Sequence, residues 1–299
     1  AMATGQKAKN KVISEKDKQP IQTILELLQK QGKATGLVTT VPITHATPAG
    51  FGAHTNYRQK YSDIANDYLT QSRPNILFGA YYKNGKGMTE AKATKAGYKV
   101  VKTTEQMQSV VKSVDVDNNS TEEVFVAGLF YPDGMPWEYD YYNPSKNPLS
   151  DEINNETLSY DTIPHLSQMT ASALNMLDND PDGFFLMVEG GTIDWAGHAN
   201  NLEDNVFETL EFAKAFQVAM DWIQDQNDTL IIVTADHECG GLKVVKGYRS
   251  GFMPEVIWTS GNHTGLNVPV YAIGPGAEEF VGFIDNTEIF TIIKKLTWQ

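Results

Sequence analysis

Phe184-Phe-Leu-Met-Val-Glu189-Gly-Gly-Thr-Ile-Asp194-Trp-Ala-Gly-His198 runs from five apolar residues to an acid, crosses a Gly-Gly step, and reaches an aspartate and a histidine four residues apart. The apolar run has the length and character of a buried strand. If the segment beyond it turns helical, Asp194 and His198 lie on one face, because residues four apart stack along an α-helix. In open α/β sheets ligands bind just outside the carboxyl ends of the strands. Glu189, Asp194 and His198 are therefore placed where chemistry is done. A second apolar run, Thr229 to Thr234, ends the same way in Thr234-Ala-Asp236-His237-Glu238, and His263 follows in Ser-Gly-Asn-His-Thr-Gly.

Working outward, further short apolar runs rich in β-branched residues occur at Gly36 to Thr40, Asn75 to Ala80, Glu123 to Phe130 and Val268 to Ile273. Segments with helical spacing separate them: Ile21, Ile24, Leu25, Leu27 and Leu28, then Leu166 to Leu177, then Val206 to Ile223. Asn286 to Leu296 carries an N-cap residue at its start and lysines at its end, as a terminal docking helix would. This alternation predicts an α/β fold, a three-layer sandwich with a central, mostly parallel β-sheet and helices on both faces. The chain reads as one domain over residues 1–299. Residues 118–161 read as an aromatic, loop-rich excursion at the edge or mouth of the sheet.

A net charge of −13 over 299 residues argues against nonspecific nucleic-acid binding, which needs clustered Lys and Arg. No apolar run reaches the length of a membrane span, and no signal peptide opens the chain. The single cysteine, Cys239, excludes an intrachain disulfide and reads as a packing residue. Ala1-Met-Ala-Thr-Gly-Gln-Lys has the look of the middle of an element, so the expectation is a truncated N-terminus.

Two carboxylate-histidine pairs behind apolar strands, with a third histidine beyond, would be costly to bury without a cation. Mixed His and carboxylate donors suit zinc, and an oxygen-only position suits magnesium. A further segment, Thr44-His45-Ala46-Thr47-Pro48-Ala49-Gly50-Phe51-Gly52-Ala53-His54-Thr55-Asn56-Tyr57-Arg58, follows a strand and turns helical. Its Thr47 hydroxyl is expected to cap that helix. Arg58 shares a face with Thr47 if the helix is continuous, and its guanidinium suits bidentate capture of phosphate oxygens.

Taken together, His-Ala-Thr-Pro-Ala with a downstream Arg, Phe-Phe-Leu-Met-Val-Glu-Gly-Gly-Thr-Ile-Asp with His four later, Thr-Ala-Asp-His-Glu, and His-Thr-Gly before Val-Pro-Val-Tyr-Ala-Ile-Gly-Pro-Gly-Ala closely resemble the alkaline phosphatases, nearly end to end. The resemblance implies that Asp194, His198 and His263 hold a first zinc, Asp236 and His237 a second, and Thr47 and Glu189 a magnesium. It implies that Arg58 clamps phosphate, with phosphomonoesters as substrates and a phosphoserine intermediate. By the family's spacing the nucleophilic Ser lies before Ala1, on a segment that also carries an aspartate shared by the second zinc and the magnesium. The expectation is therefore a C-terminal major portion whose partner is its own missing N-terminal segment. His45 and Trp195 take two positions that vary within the family, beside the Thr47 and Asp194 ligands. Family likeness also implies a homodimer and a periplasmic or extracellular location. The rival readings are a related phosphodiesterase or phosphomutase, and a metal-binding fragment without turnover.

Overall fold

The computed structural model of the protein describes residues 1–116, 124–143, 151–153, 156–158, 162–247 and 249–297. Short strands β1 (Glu15–Lys16) and β2 (Gln19–Pro20) pair before helix α1 (Ile24–Gln29). The Thr23 hydroxyl accepts from the Glu26 amide while the Glu26 carboxylate accepts from the Thr23 amide, so two otherwise unpaired donors are satisfied where α1 starts. Then come β3 (Ala34–Pro42), α2 (Ala46–Gly52), α3 (Tyr61–Thr70), β4 (Ile76–Tyr81), α4 (Glu90–Lys95), β5 (Lys99–Val101), α5 (Thr104–Val116) and β6 (Val126–Pro132). After α6 (Glu138–Tyr142) and the ribbon β7 (Asp151–Ile153) with β8 (Glu156–Leu158) follow α7 (Leu166–Leu177), β9 (Phe184–Glu189), α8 (Thr192–Ala199), α9 (Leu202–Trp222) and β10 (Ile231–Thr234). The chain continues through β11 (Glu238–Cys239), β12 (Lys243–Lys246), β13 (Glu255–Ile257), β14 (His263–Thr264), β15 (Val270–Ile273) and α10 (Glu288–Thr297).

Five strands form an all-parallel sheet in the order β5-β6-β4-β3-β9. Every residue of β3 is buried, as a central parallel strand covered on both faces requires. The period of two divides its side chains between two cores. Leu37 packs with Ile24 and Leu25 of α1 and with Ile64 and Tyr68 of α3. Its neighbour Val38 packs with Met107 of α5 and with Met169 and Ala173 of α7. Burying one such side chain is worth about 1.5–3 kcal/mol. The α/β architecture with helices on both faces is thus as the alternation implies.

Two departures from the sequence reading concern the sheet. The three-residue strand β5 escapes it, being too short to show periodicity and carrying Lys99. The runs ending at Thr234 and Ile273 do form strands, but β10 and β15 pair antiparallel with each other in a separate ribbon. Between the free edges of β9 and β10 lies a cavity of about 1090 Å³, floored by apolar side chains that include Met187, Phe212, Phe216 and Ile232. For this reason β9 and β10 are mostly half-buried although β3, next to β9, is wholly buried.

Two more concern the third motif. Thr47 does not cap α2: the N-cap is His45, whose side chain makes no capping hydrogen bond. Nor is the helix continuous to Arg58, since α2 ends at Gly52 and Ala53 turns extended. Much of 118–161 lies outside the described residues. In the described part, Phe130 and Tyr131 are buried, and Tyr139 and Tyr142 pack on Phe207 of α9 with ring centroids 5.2 Å apart. Among the described residues no helix is long and apolar enough to cross a membrane.

Candidate metal centre

The segment after β9 packs tightly onto β3 at Gly191. A Cβ there would lie 2.7 Å from Val41 Cγ1 and 3.2 Å from the Glu189 carboxyl carbon, so a side chain would push the turn off β3. Helix α8 then runs from Thr192 to Ala199, and Asn200 takes the left-handed conformation that closes it. Asp194 in its first turn and His198 in its last face the same way, as their spacing implies. His198 Nδ1 bonds to the Gly261 carbonyl at 2.8 Å, so it carries the proton and leaves Nε2 as a lone-pair donor.

His263 arrives on β14 and completes a trio. Its Nε2 lies 3.0 Å from His198 Nε2 and 3.2 Å from Asp194 Oδ1, and His198 Nε2 lies 3.5 Å from the same oxygen. Asp194 Oδ1 is buried with no hydrogen-bond partner of good geometry. Two ring nitrogens crowded against an orphaned carboxylate oxygen are a donor set that a cation would satisfy. The Cys239 thiol joins this cluster, with one donor atom from each of the four residues within 4.8 Å of the others.

Asp236 and His237 leave the end of β10 and form the adjoining pair. His237 Nε2 lies 3.2 Å from Asp236 Oδ2, and the His237 ring stacks on His263 with centroids 3.5 Å apart. His237 Nδ1 is buried and unpartnered. Burial disfavours the charged imidazole of His237, but the Asp236 hydrogen bond outweighs it and raises the pKa. Burial and then the positive charge of His237 hold His263 below the ordinary histidine value.

Glu189 sits deeper, at the end of β9. Burial pushes its carboxyl up to about 7 against hydrogen bonds from Thr39 and Thr47, and the charges of Asp236 and Asp194 add to the rise. Thr39 Oγ1 donates to Glu189 Oε2 at 2.6 Å. Thr47, though not a cap, is thus brought onto Glu189 in an oxygen-rich corner suited to a hard cation. Arg58, arriving by the loop after α2, donates from Nη2 to His45 Nε2 at 3.0 Å. Burial and then the Arg58 charge push His45 down to about 4, so it is the neutral acceptor that this bond needs. Trp195 meets His45 edge to face at 5.9 Å.

All ten residues singled out in the sequence therefore fall in this region, from Arg58 and His45 through Trp195, Thr47 and Glu189 to the two histidine clusters. The sequence reading missed Thr39, whose signal is only its place on β3 beside Glu189 in the register. It also missed a buried acidic group beneath α8. There Glu208 accepts from the Glu138 amide at 2.8 Å and from the Thr192 hydroxyl. Glu138 bonds His165 Nδ1 at 2.9 Å, and Glu211 pairs with Lys214 at 3.0 Å. Lys214 compensates Glu211, and the His165 ring is bonded to Glu138, so this second cluster reads as a hydrogen-bonded acidic network.

A parallel α/β sheet with histidines and acids gathered beyond its strand ends, in sets of donor atoms that suit divalent cations, defines an α/β protein with a candidate metal centre. The chain belongs to the alkaline phosphatase family, whose model matches residues 1–254 and 248–298. It is 31% identical to Alkaline phosphatase 3 of Bacillus subtilis (strain 168), over 97% of this chain and 73% of that protein. It is 29% identical to the alkaline phosphatase of Escherichia coli (strain K12), over 91% of this chain and 66% of that protein. Among solved structures, the cold-active alkaline phosphatase from a psychrophilic Shewanella sp. superposes with a TM-score of 0.80 at 28% identity, covering 99% of this chain and 83% of that one. The alkaline phosphatase of the Antarctic bacterium TAB5 superposes with a TM-score of 0.78 at 29% identity, covering 99% and 82%.

Proposed function

We propose that this site hydrolyses phosphate monoesters with two zincs and one magnesium, attack coming from a serine outside these 299 residues. The observation that carries the reading is the convergence of Asp194, His198 and His263 on an unpartnered carboxylate oxygen, with His237 stacked alongside. Asp194, His198 and His263 would hold the first zinc, Asp236 and His237 the second, and Thr47 and Glu189 the magnesium. When bound, these ions would supply Lewis-acid stabilisation of the attacking and leaving oxygens.

The chain's own residues do the remaining work. Arg58 presents a planar guanidinium at the mouth, where it can take two phosphate oxygens once it swings from neutral His45. The Gly261 carbonyl fixes the tautomer of His198. The Thr39 and Thr47 hydroxyls donate to Glu189 and hold its carboxyl in place, and a cation bound there would favour the ionised form. That Thr47–Glu189 corner favours a monoesterase over the phosphodiesterase or mutase alternatives. A variant of the TAB5 enzyme with a histidine replaced by aspartate has Mg bound in its M3 site, a parallel for His45 as the residue that sets which ion the oxygen-rich corner takes.

The slot between β9 and β10 supports a strand as the missing neighbour of both edges, supplied by the segment that brings the serine. Export and homodimer formation belong to the same reading. The test compares the 299-residue chain with a version joined to an upstream family segment, both loaded with zinc and magnesium. The chain should bind zinc without turning over an aryl phosphate, and the joined protein should hydrolyse it. A joined protein that folds, binds zinc and stays inert would overturn the phosphatase assignment.

A further inference from the structure

We propose that Cys239 is a fourth protein donor to the ion held by Asp194, His198 and His263, so that this chain can close that site with an Asp-His-His-Cys set. The inference rests on the reading of that trio as a metal site and adds a residue to it.

The position of the sulfur is fixed by three elements. Cys239 and His263 are register partners in the antiparallel pair β11–β14, directly across from each other. Side chains so placed stand close on one face of the ribbon. Helix α8 packs over the sulfur at Gly197, where a Cβ would sit 3.1 Å from Cys239 Cβ and 3.3 Å from Sγ. A residue larger than glycine at 197 would push the helix that carries Asp194 and His198 away from the sulfur. The loop through Gly261 and Asn262 then ties the ribbon to the helix through His198 Nδ1. Backbone contacts among α8, β11 and β14 thus gather the four donors in one place.

The spacing fits one ion. For zinc, with bonds of roughly 2.0–2.3 Å, a tetrahedron places its donors roughly 3.3–3.8 Å apart. The three distances within the Asp-His-His trio are 3.0, 3.2 and 3.5 Å, and the sulfur completes a group spanning no more than 4.8 Å. On binding, the S–H bond breaks, its proton leaves to solvent, and the sulfur lone pair forms the bond to the divalent cation. A thiolate shifts the preference of the site toward zinc, cobalt and cadmium and away from magnesium. It also fills the position that a three-ligand site keeps open for substrate or water, so Cys239 must swing aside whenever that position is used.

Cobalt(II) is the probe, because thiolate ligation gives it an intense near-ultraviolet charge-transfer band that nitrogen and oxygen ligands do not. The cobalt-loaded chain should show that band, and C239S should lose it while keeping the weaker visible bands of the bound ion. Zinc titration should show C239S binding at least about tenfold more weakly, since loss of a ligand costs no less than loss of a supporting partner. Wild type should release one more proton per zinc than C239S. If the cobalt chain binds its ion with no charge-transfer band, Cys239 is a packing residue and the proposal falls while the three-residue site stands. If neither protein binds cobalt or zinc, both the proposal and the metal reading beneath it fail. C239S replaces one small side chain by another, and its near-ultraviolet circular dichroism without metal verifies that the fold is kept.

Discussion

Glu208 offers a test of how the buried acidic group beneath α8 sets stability. It is 3% exposed, accepts from the Glu138 amide and the Thr192 hydroxyl, and lies near the carboxylates of Glu138 and Asp204. Burial pushes its carboxyl from 4.5 up to about 7, more than its hydrogen bonds pull it down. Below pH 4.5 folded and unfolded chains both hold the proton, and the contribution to stability is fully present. Between pH 4.5 and 7 the unfolded chain ionises first, so stability falls as pH rises. Above 7 the loss levels off at about 3 kcal/mol, the rise in pKa converted at roughly 1.4 kcal/mol per unit. Glu208→Gln removes the titration and keeps the bonds: its amide oxygen accepts from Glu138, and its amide N–H donates to Thr192, whose hydroxyl turns to Thr40 at 2.8 Å. Urea unfolding at pH 5 and pH 8 reads the effect. The drop in stability from pH 5 to 8 should be smaller in E208Q by about 2.5 kcal/mol, because part of the loss has already occurred by pH 5. Equal drops in the two proteins would refute the assignment of a proton to this buried carboxyl.

His54 bonds Glu26 Oε1 at 2.8 Å and the Ser14 carbonyl at 2.8 Å; burial opposes its charge, but these partners raise its pKa. Its contribution is full below pH 6.5 and fades as pH rises through the folded value, so E26Q, which keeps the cap of α1, should cost about 1.5–3 kcal/mol at pH 6 and less at pH 9 by urea unfolding. Gly79→Ala places a Cβ 3.0 Å from the carbonyl oxygens of both Thr39 and Val41, which are strand backbone and cannot yield. Chemical denaturation should show a loss of about 1–3 kcal/mol, and no loss would mean that β3 and β4 are less tightly held than their register implies. Zinc at a hundred times its dissociation constant should stabilise the chain by about 2.7 kcal/mol, measured as a shift of the urea midpoint. Most of that gain should vanish in H198A, and an unchanged shift would place the ion elsewhere.

The sheet was legible because each of its long strands is a short apolar run with its own boundaries, and Leu166 to Leu177 shows its helix by period. β5 was not legible, because three residues carry no period. The antiparallel pairing of β10 with β15 was hidden for another reason: both runs look like the others, and nothing local says which edge each will meet. In the site, Asp194 and His198 declared themselves by spacing. The arrival of Arg58 beside His45 could not be read that way, since it depends on where α2 stops and how the loop after Ala53 returns.

By itself the sequence determined which histidines and acids stand just past the strand ends, because a strand end and a helical turn fix neighbours within a few positions. The tertiary structure alone decided which of those groups touch. It brought the rings of His237 and His263 into a stack, brought Thr39 onto Glu189 from a strand 150 residues away in sequence, and set Cys239 across from His263. Such contacts are settled by strand register, by the packing of α8 on β11 and by loop paths, all of which depend on the whole chain at once.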